Sequence, residues 1–365
     1  MDAQLIEAAW KNDLAAAGRL IQAGASVNYK DSTMQSAFLI ATSEGYLELL
    51  ELTLRNGAQV NDRDSFNGTG LIRAADRGHA HIAGRLARAG IDLDHVNRLG
   101  WTALHEAIIL GDGSQRYVDT VRVLVASGVD VTIRSRSDGI SPLQHAESRG
   151  FGEIVRILRS ALASERPRDP AAALLSAAVA GDADRVALAL RAGAAIGAPD
   201  ARRRTALRLA VAADSLPAAR VLVYLGADPN TLDDRRDTPW LITGETGSVP
   251  MAELLLTAGP DLSIRNRFGG TSIIPASERG HVGYVRRVAR TGIDLDHVND
   301  LGWTALLEAV ILGQGGPVHE EIVRILLDAG ASPNIADRNG VTALGHARTR
   351  GYRGIATILE RAGAR

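Results

Sequence analysis

The stretch Asn97-Arg98-Leu99-Gly100-Trp101-Thr102-Ala103-Leu104-His105 opens a segment, residues 97–131, whose reading decides the fold. Gly100 supplies the backbone angles of a tight turn, and Thr102 fills the slot where a hydroxyl caps a helix start. A short helix is predicted over residues 102–110, then a loop, then a second helix over about 117–126, where Val121, Leu124 and Val125 recur at three- and four-residue spacing. Gly128 follows, at the place where a left-handed residue closes a helix end, and an extended segment completes the unit.

That order recurs along the chain. Gly24, Gly57, Gly90, Gly128, Gly193, Gly226, Gly259, Gly292, Gly330 and Gly363 fall at intervals of 33, 33, 38, 65, 33, 33, 33, 38 and 33. A period of this size is the signature of a solenoid, in which each unit buries its apolar face only against its neighbours. The unit resembles the ankyrin repeat, whose pattern runs D-x-x-G-x-T-P-L-H-x-A-A-x-x-G-H, a second helix, and G-A-D-x-N. The matching stretches include Asn339-Gly340-Val341-Thr342-Ala343-Leu344, Arg77-Gly78-His79, Arg279-Gly280-His281, Gly226-Ala227-Asp228-Pro229-Asn230 and Gly330-Ala331-Ser332-Pro333-Asn334. The resemblance covers essentially the whole chain. It implies an all-α ankyrin-repeat solenoid of about eleven helix-turn-helix units with β-hairpin fingers, and a concave groove lined by fingers and first helices.

Composition excludes several function classes. The 365 residues carry 41 basic and 42 acidic side chains for a formal net charge of -1, which lacks the electrostatic footprint of a duplex-binding protein, so no nucleic-acid partner is expected. The absence of cysteine excludes disulfides and thiolate metal sites. No window approaches eighteen apolar residues and the start lacks a basic, apolar leader, so no membrane association and a cytoplasmic location are expected.

The unit near residue 136 breaks the pattern. Leu162 stands where the glycine should be, and Ser164-Glu165-Arg166-Pro167-Arg168-Asp169-Pro170 replaces the finger, with Asp169-Pro170 reading as a new helix start. The chain is therefore expected to divide into an N-terminal module of five repeats over residues 1–163, a junction over residues 164–170, and a C-terminal module of six repeats over residues 171–365. Residues 90–97 are identical to residues 292–299, and Leu99-Gly100-Trp101-Thr102-Ala103-Leu104 to residues 301–306. Both copies carry the 38-residue unit, enlarged between its helices at residues 111–116 and 313–318. An internal duplication is the simple explanation.

In ankyrin proteins, partners are usually contacted by the finger residue before the Thr slot and by the two residues ending the first helix. Most units here place small or charged residues there. The enlarged units instead offer Leu99, Trp101, Ile109 and Leu110, and Leu301, Trp303, Ile311 and Leu312. An aromatic with three aliphatics on a surface meant for solvent suggests a binding patch; the opposing possibility is a local cluster covered by the enlarged loop. A second signal is polar. Two residues after the core Leu of the first helix stand Arg73, Glu106 and His145 in successive units, and Pro275, Glu308 and His346 in the second copy. Adjacent helices pack at about 10 Å, so Glu106 is expected to reach His145 and Glu308 to reach His346, either as a stacking network or as an acid-base pair.

His79 and His281 fill a slot that is structural by default, and Asp92, Asp94, His95 and Asn97 with their twins lack a metal-loop motif, so no metal and no cofactor is expected. Arg202-Arg203-Arg204 and Arg235-Arg236 make adjacent finger tips basic, which would favour an acidic partner. The expected function is a non-catalytic, monomeric binding scaffold gripping a protein segment in its groove. The alternative is a small-molecule pocket with acid-base catalysis of the cyclase, isomerase or lyase type, using Glu106 with His145 or Glu308 with His346.

Overall fold

In a computed structural model, residues 1–163 and 167–365 are described. Residues 164–166 of the expected junction lie outside them. The described residues form twenty-two α-helices, from Asp2–Trp10 to Arg353–Arg361, and no β-sheet. Isolated antiparallel bridges join Arg63 to Thr69, Pro199 to Thr205 and Ala336 to Thr342 across the finger loops. The chain is an all-α repeat solenoid.

The 97–131 repeat shows why the chain folds this way. Asn97 closes the finger, its side-chain oxygen accepting the backbone N–H groups of Leu99 and Trp101 at 3.0 Å each. Gly100 sits at φ 84° between them, and a methyl group there would press on Arg136 and Ser137 of the following finger. Arg98 N–H donates to the Phe66 carbonyl at 2.9 Å and Arg136 N–H to that of Gly100 at 3.0 Å, so this finger is stitched to those on either side. Thr102 and His105 form a reciprocal cap on the helix Ala103–Ile109. The helix Gln115–Ser127 ends on Gly128 at φ 98°. Between them Leu104, Ala107, Ile108, Val121, Leu124 and Val125 are buried, each large aliphatic contributing roughly 1.5–3 kcal/mol.

The helices gather into two compact units. The first comprises Met1–Ala177, Asp182–Ile196 and Arg220–Ala227; the second comprises Ala178–Gly181, Gly197–Ala219 and Asp228–Arg365. Within the first unit the stack is not one-dimensional, contrary to the expectation that a repeat touches only its neighbours. The helix Ala183–Arg191 packs on Gln115–Ser127, and Arg220–Ala227 lies against Ala80–Arg88, where the Tyr224 and His81 rings are 6.0 Å apart. Gly84 permits this: a side chain there would run into the Tyr224 carbonyl. Arg122, itself buried, donates to Asp184 at 2.8 Å and to Glu153 at 3.2 Å, while Arg220 reaches Asp119 at 2.9 Å across 101 residues of sequence. Arg191 caps the carbonyl of Val129 at 2.7 Å.

The sequence supplies the physical reason. Ten of the thirteen residues of Gln115–Ser127 are buried, so that helix is covered nearly all round. In the equivalent places of the second unit, Arg286 replaces Gly84, Glu320 replaces Val118 and Asp328 replaces Ala126. There the helix Pro317–Asp328 buries a single stripe, His319, Ile322, Val323 and Leu326, and its outer face keeps charge pairs such as Arg286 with Glu321 at 2.6 Å.

Candidate functional site

Two apolar patches stand at equivalent places in the two units. In the first, Leu99 at the finger tip and Leu110 at the end of Ala103–Ile109 are exposed, Leu110 by 50 %, with Trp101 and Ile109 half-buried between them. In the second, Leu301 and Leu312 are exposed, Leu312 by 45 %, and Trp303 is half-buried. Ile311 departs from the expected set. It is buried in the helix Ala305–Ile311 and packs inward, so the second patch is narrower.

The enlarged loops do not seal the indoles. The loop at residues 111–116 is pinned to the following repeat, where Arg149 donates to the carbonyls of Ile109 and Gly111 at 2.9 Å each, and Gly113 lies against Phe151. The Tyr117 hydroxyl donates to the Asp76 carbonyl of the preceding repeat at 2.9 Å. Its counterpart is held by Tyr352, which donates to the Gly313 carbonyl at 3.1 Å, and by His319 against the Glu278 carbonyl at 2.9 Å. Trp101 instead donates from Nε1 to Ser137 Oγ at 3.2 Å, which fixes its indole edge on the next finger.

The patches extend further than the sequence reading placed them. Phe66 and Phe268, 58 % and 51 % exposed, occupy the finger position of Leu99 and Leu301 one repeat earlier. Each unit thus carries two consecutive apolar finger tips. The signal was present as the third residue of Asp64-Ser65-Phe66 and Asn266-Arg267-Phe268, counted from the residue that closes each finger.

The polar ladder is wired differently from the expectation. Glu106, 4 % exposed, accepts a hydrogen bond from Asn97 Nδ2 at 2.6 Å, and Glu308, 6 % exposed, one from Asn299 Nδ2 at 2.7 Å. Among the described residues no ion pair joins Glu106 to His145 or Glu308 to His346. His346 Nε2 bonds Asp337 at 2.8 Å, and His145 Nε2 lies 3.5 Å from Asp138. The reason is the finger geometry, which folds the closing residue back onto its own first helix nine positions later. Arg73 with Asp64 at 3.6 Å obeys the same rule. Asp meets a cation, Arg73 or His346, whereas Asn meets a carboxyl, Glu106 or Glu308.

Burial pushes the Glu106 carboxyl up to about 7, aided by the charge of Asp76 and opposed by the Asn97 hydrogen bond. Glu308 rises to about 7 for the same reasons, with Glu278 in the place of Asp76. His105, buried under the patch with its ring edge-on to His145 at 5.9 Å, is pushed down to about 4 by desolvation. The histidines considered for metal are engaged with backbone: His95 Nε2 meets the Asn67 carbonyl at 2.7 Å, and His297 Nε2 that of Gly269 at 2.6 Å. His79 and His281 likewise bridge to Ser43 and Glu245 carbonyls at 3.1 Å.

A family model described as ankyrin repeats (3 copies) matches residues 38–135 and 241–337, just over half of the chain. The chain belongs to the ankyrin repeat family. This ankyrin array is similar to the Escherichia coli (strain K12) ankyrin repeat protein YahD, 40% identical over 143 residues that span 39% of this chain and 71% of YahD. It is also similar to a solved ankyrin repeat domain from Acinetobacter baumannii, 46% identical with a TM-score of 0.51, over 53% of this chain and 98% of that one. A second solved ankyrin repeat protein is 36% identical with a TM-score of 0.51, over 52% of this chain and 98% of that one. Ankyrin arrays in general are protein–protein interaction scaffolds. Among the described residues, no helix of this array is long and apolar enough to cross a membrane.

Proposed function

We propose that this ankyrin array is a non-catalytic scaffold that recognises a protein segment along its fingers and first-helix ends, through apolar patches centred on Trp101 and Trp303. The observation that carries the reading is the recurrence of exposed leucines at matching places, Leu99 with Leu110 and Leu301 with Leu312, beside an indole held half-open. Aromatic and aliphatic anchors of this kind dominate contact energies when a partner desolvates them. The near-identity of residues 90–104 and 292–306 supports an internal duplication that doubled the patch, with modules over residues 1–163 and 171–365. A monomer in the cytoplasm is the setting we assign. The raised carboxyls serve this reading as buried floor beneath the patches, since each is hydrogen-bonded within its own repeat.

The test is affinity capture from lysate of the source cells, with bound proteins quantified by mass spectrometry. The variants L99S with L110S and L301S with L312S change only exposed side chains. Loss of a reproducibly captured protein in either pair, at unchanged helical content, is the expected result. Undiminished capture by both pairs would refute the reading.

A further inference from the structure

Along the second compact unit the finger tips change character in a fixed order. The third residue of each finger, counted from its closing residue, runs Arg202, Arg235, Phe268, Leu301, and all four are exposed. The fourth residue runs Arg203, Arg236, Gly269, Gly302, Gly340. Arg203 and Arg236 are exposed as well. Two adjacent fingers thus present four guanidinium groups, and the next two present an aromatic and an aliphatic side chain.

None of Arg202, Arg203, Arg235 and Arg236 forms an ion pair with another described residue, whereas neighbouring arginines are consumed internally. Arg204 pairs with Asp200 at 2.7 Å, Arg208 with Asp233 at 3.0 Å and Arg267 with Asp237 at 3.4 Å. Asp200 and Asp233 are further occupied by backbone N–H groups of their own fingers. The exposed Asp234 is left as the acid beside the four groups.

The backbone sets where two of these arginines stand. Arg203 and Arg236 sit at φ 58° and 60°, the left-handed conformation that Gly269, Gly302 and Gly340 hold at the same loop position, and that Met34 and Asn67 also adopt there at 64° and 56°. A side chain with a Cβ is disfavoured there, and glycine would relieve it. The turn thus holds the Arg203 and Arg236 side chains at the finger tip, and a glycine in either place removes the guanidinium while relieving the backbone.

We infer that the second unit binds an extended, acidic-then-apolar peptide segment, its carboxylates on Arg202, Arg203, Arg235 and Arg236 and its apolar side chains on Phe268 and Leu301. The inference rests on the protein-recognition reading above and names the partner's chemistry. Its spacing follows from the fold. Repeats stack at about 10 Å and an extended chain rises about 3.3 Å per residue, so one finger matches about three residues of ligand. Acidic residues three apart, followed by apolar residues three apart, are the pattern that fits. The fingers are pre-set for this, because Asp234 N–H donates to the Arg202 carbonyl at 3.1 Å and Asp300 N–H to that of Phe268 at 2.9 Å. A single-stranded nucleic acid would need a stacking surface for each successive base, whereas these four finger tips offer a single ring, Phe268, followed by the aliphatic Leu301.

The test is selection of a displayed library of random linear peptides on the full chain, followed by fluorescence anisotropy with the best peptide and the R203G/R236G variant. Enrichment of Asp or Glu at three-residue intervals ahead of Leu or Phe is expected. The double glycine variant should bind that peptide about tenfold more weakly, with an unchanged or raised Tm, so loss of folding cannot explain the loss of binding. Enriched peptides that are apolar without acids would overturn the inference while leaving the protein-recognition reading standing. No enrichment at all would sink both. Tighter binding of a single-stranded oligonucleotide than of any selected peptide would also overturn it.

Discussion

Replacing Glu106 by Gln turns the buried carboxyl beneath the first patch into a stability probe. In the folded chain this group holds its proton up to about 7 instead of the ordinary 4.5, chiefly because burial disfavours its charge. The folded state therefore binds more protons than the unfolded one between pH 4.5 and about 7, and stability falls as pH rises through that window. Below pH 4.5 the favourable protonated form is present in both states; above about 7 the advantage is gone and a buried charge remains. At about 1.36 kcal/mol per pH unit of difference, the wild type carries a penalty of roughly 3 kcal/mol above pH 7 that a neutral amide does not. Gln keeps the acceptor for Asn97 Nδ2, so the local bond survives. Thermal and urea unfolding at pH 5 and pH 8 should show E106Q gaining on the wild type by a few kcal/mol as pH rises. A gain that is the same at both pH values, or a growing loss, would refute the reasoning.

Gly84→Ala should cost about 1–3 kcal/mol and loosen Arg220–Ala227, because the added methyl meets the Tyr224 carbonyl; hydrogen exchange at residues 220–227 reads this, and unchanged protection there would count against the packing. Arg122→Ala removes the cation shared by Asp119, Glu153 and Asp184 and should destabilise by about 3–5 kcal/mol, with a shallower loss for the exposed Arg324→Ala of the second unit; equal losses in chemical denaturation would contradict the burial contrast. Gly100→Ala forces a Cβ into a left-handed turn already crowded by Arg136 and Ser137, and a melt should fall by an amount corresponding to more than about 1 kcal/mol; tolerance without loss would argue against the stitched fingers.

Most of the fold was legible because repeat chemistry is local. Gly100 and Gly128, Thr102 and the stripe Val121, Leu124, Val125 each state their own conformation within a dozen residues. The packing of Arg220–Ala227 on Gly84 was not, since it joins residues more than a hundred positions apart and no period announces it. Its trace was visible only as a difference between copies, Gly84 against Arg286 and Val118 against Glu320. The ladder was misread for the opposite reason. Stacking suggested partners one repeat away, His145 for Glu106, while the finger folds Asn97 back onto its own helix at a shorter and constant spacing of nine. Of the eight expected patch residues Ile311 turned inward, and outside that set Phe66 and Phe268 went unnoticed, because exposure at a finger tip depends on loop position more than on the neighbouring Trp.

Protein recognition by the finger tips is tested most directly by hydroxyl-radical footprinting of the full chain with and without a captured partner. Protection should concentrate at Leu99, Trp101 and Leu110 or at Leu301, Trp303 and Leu312, with Phe66 or Phe268 included. Protection confined to the outer helices, around Arg286 and Glu321, with the finger tips as reactive as in the unliganded chain, would contradict it.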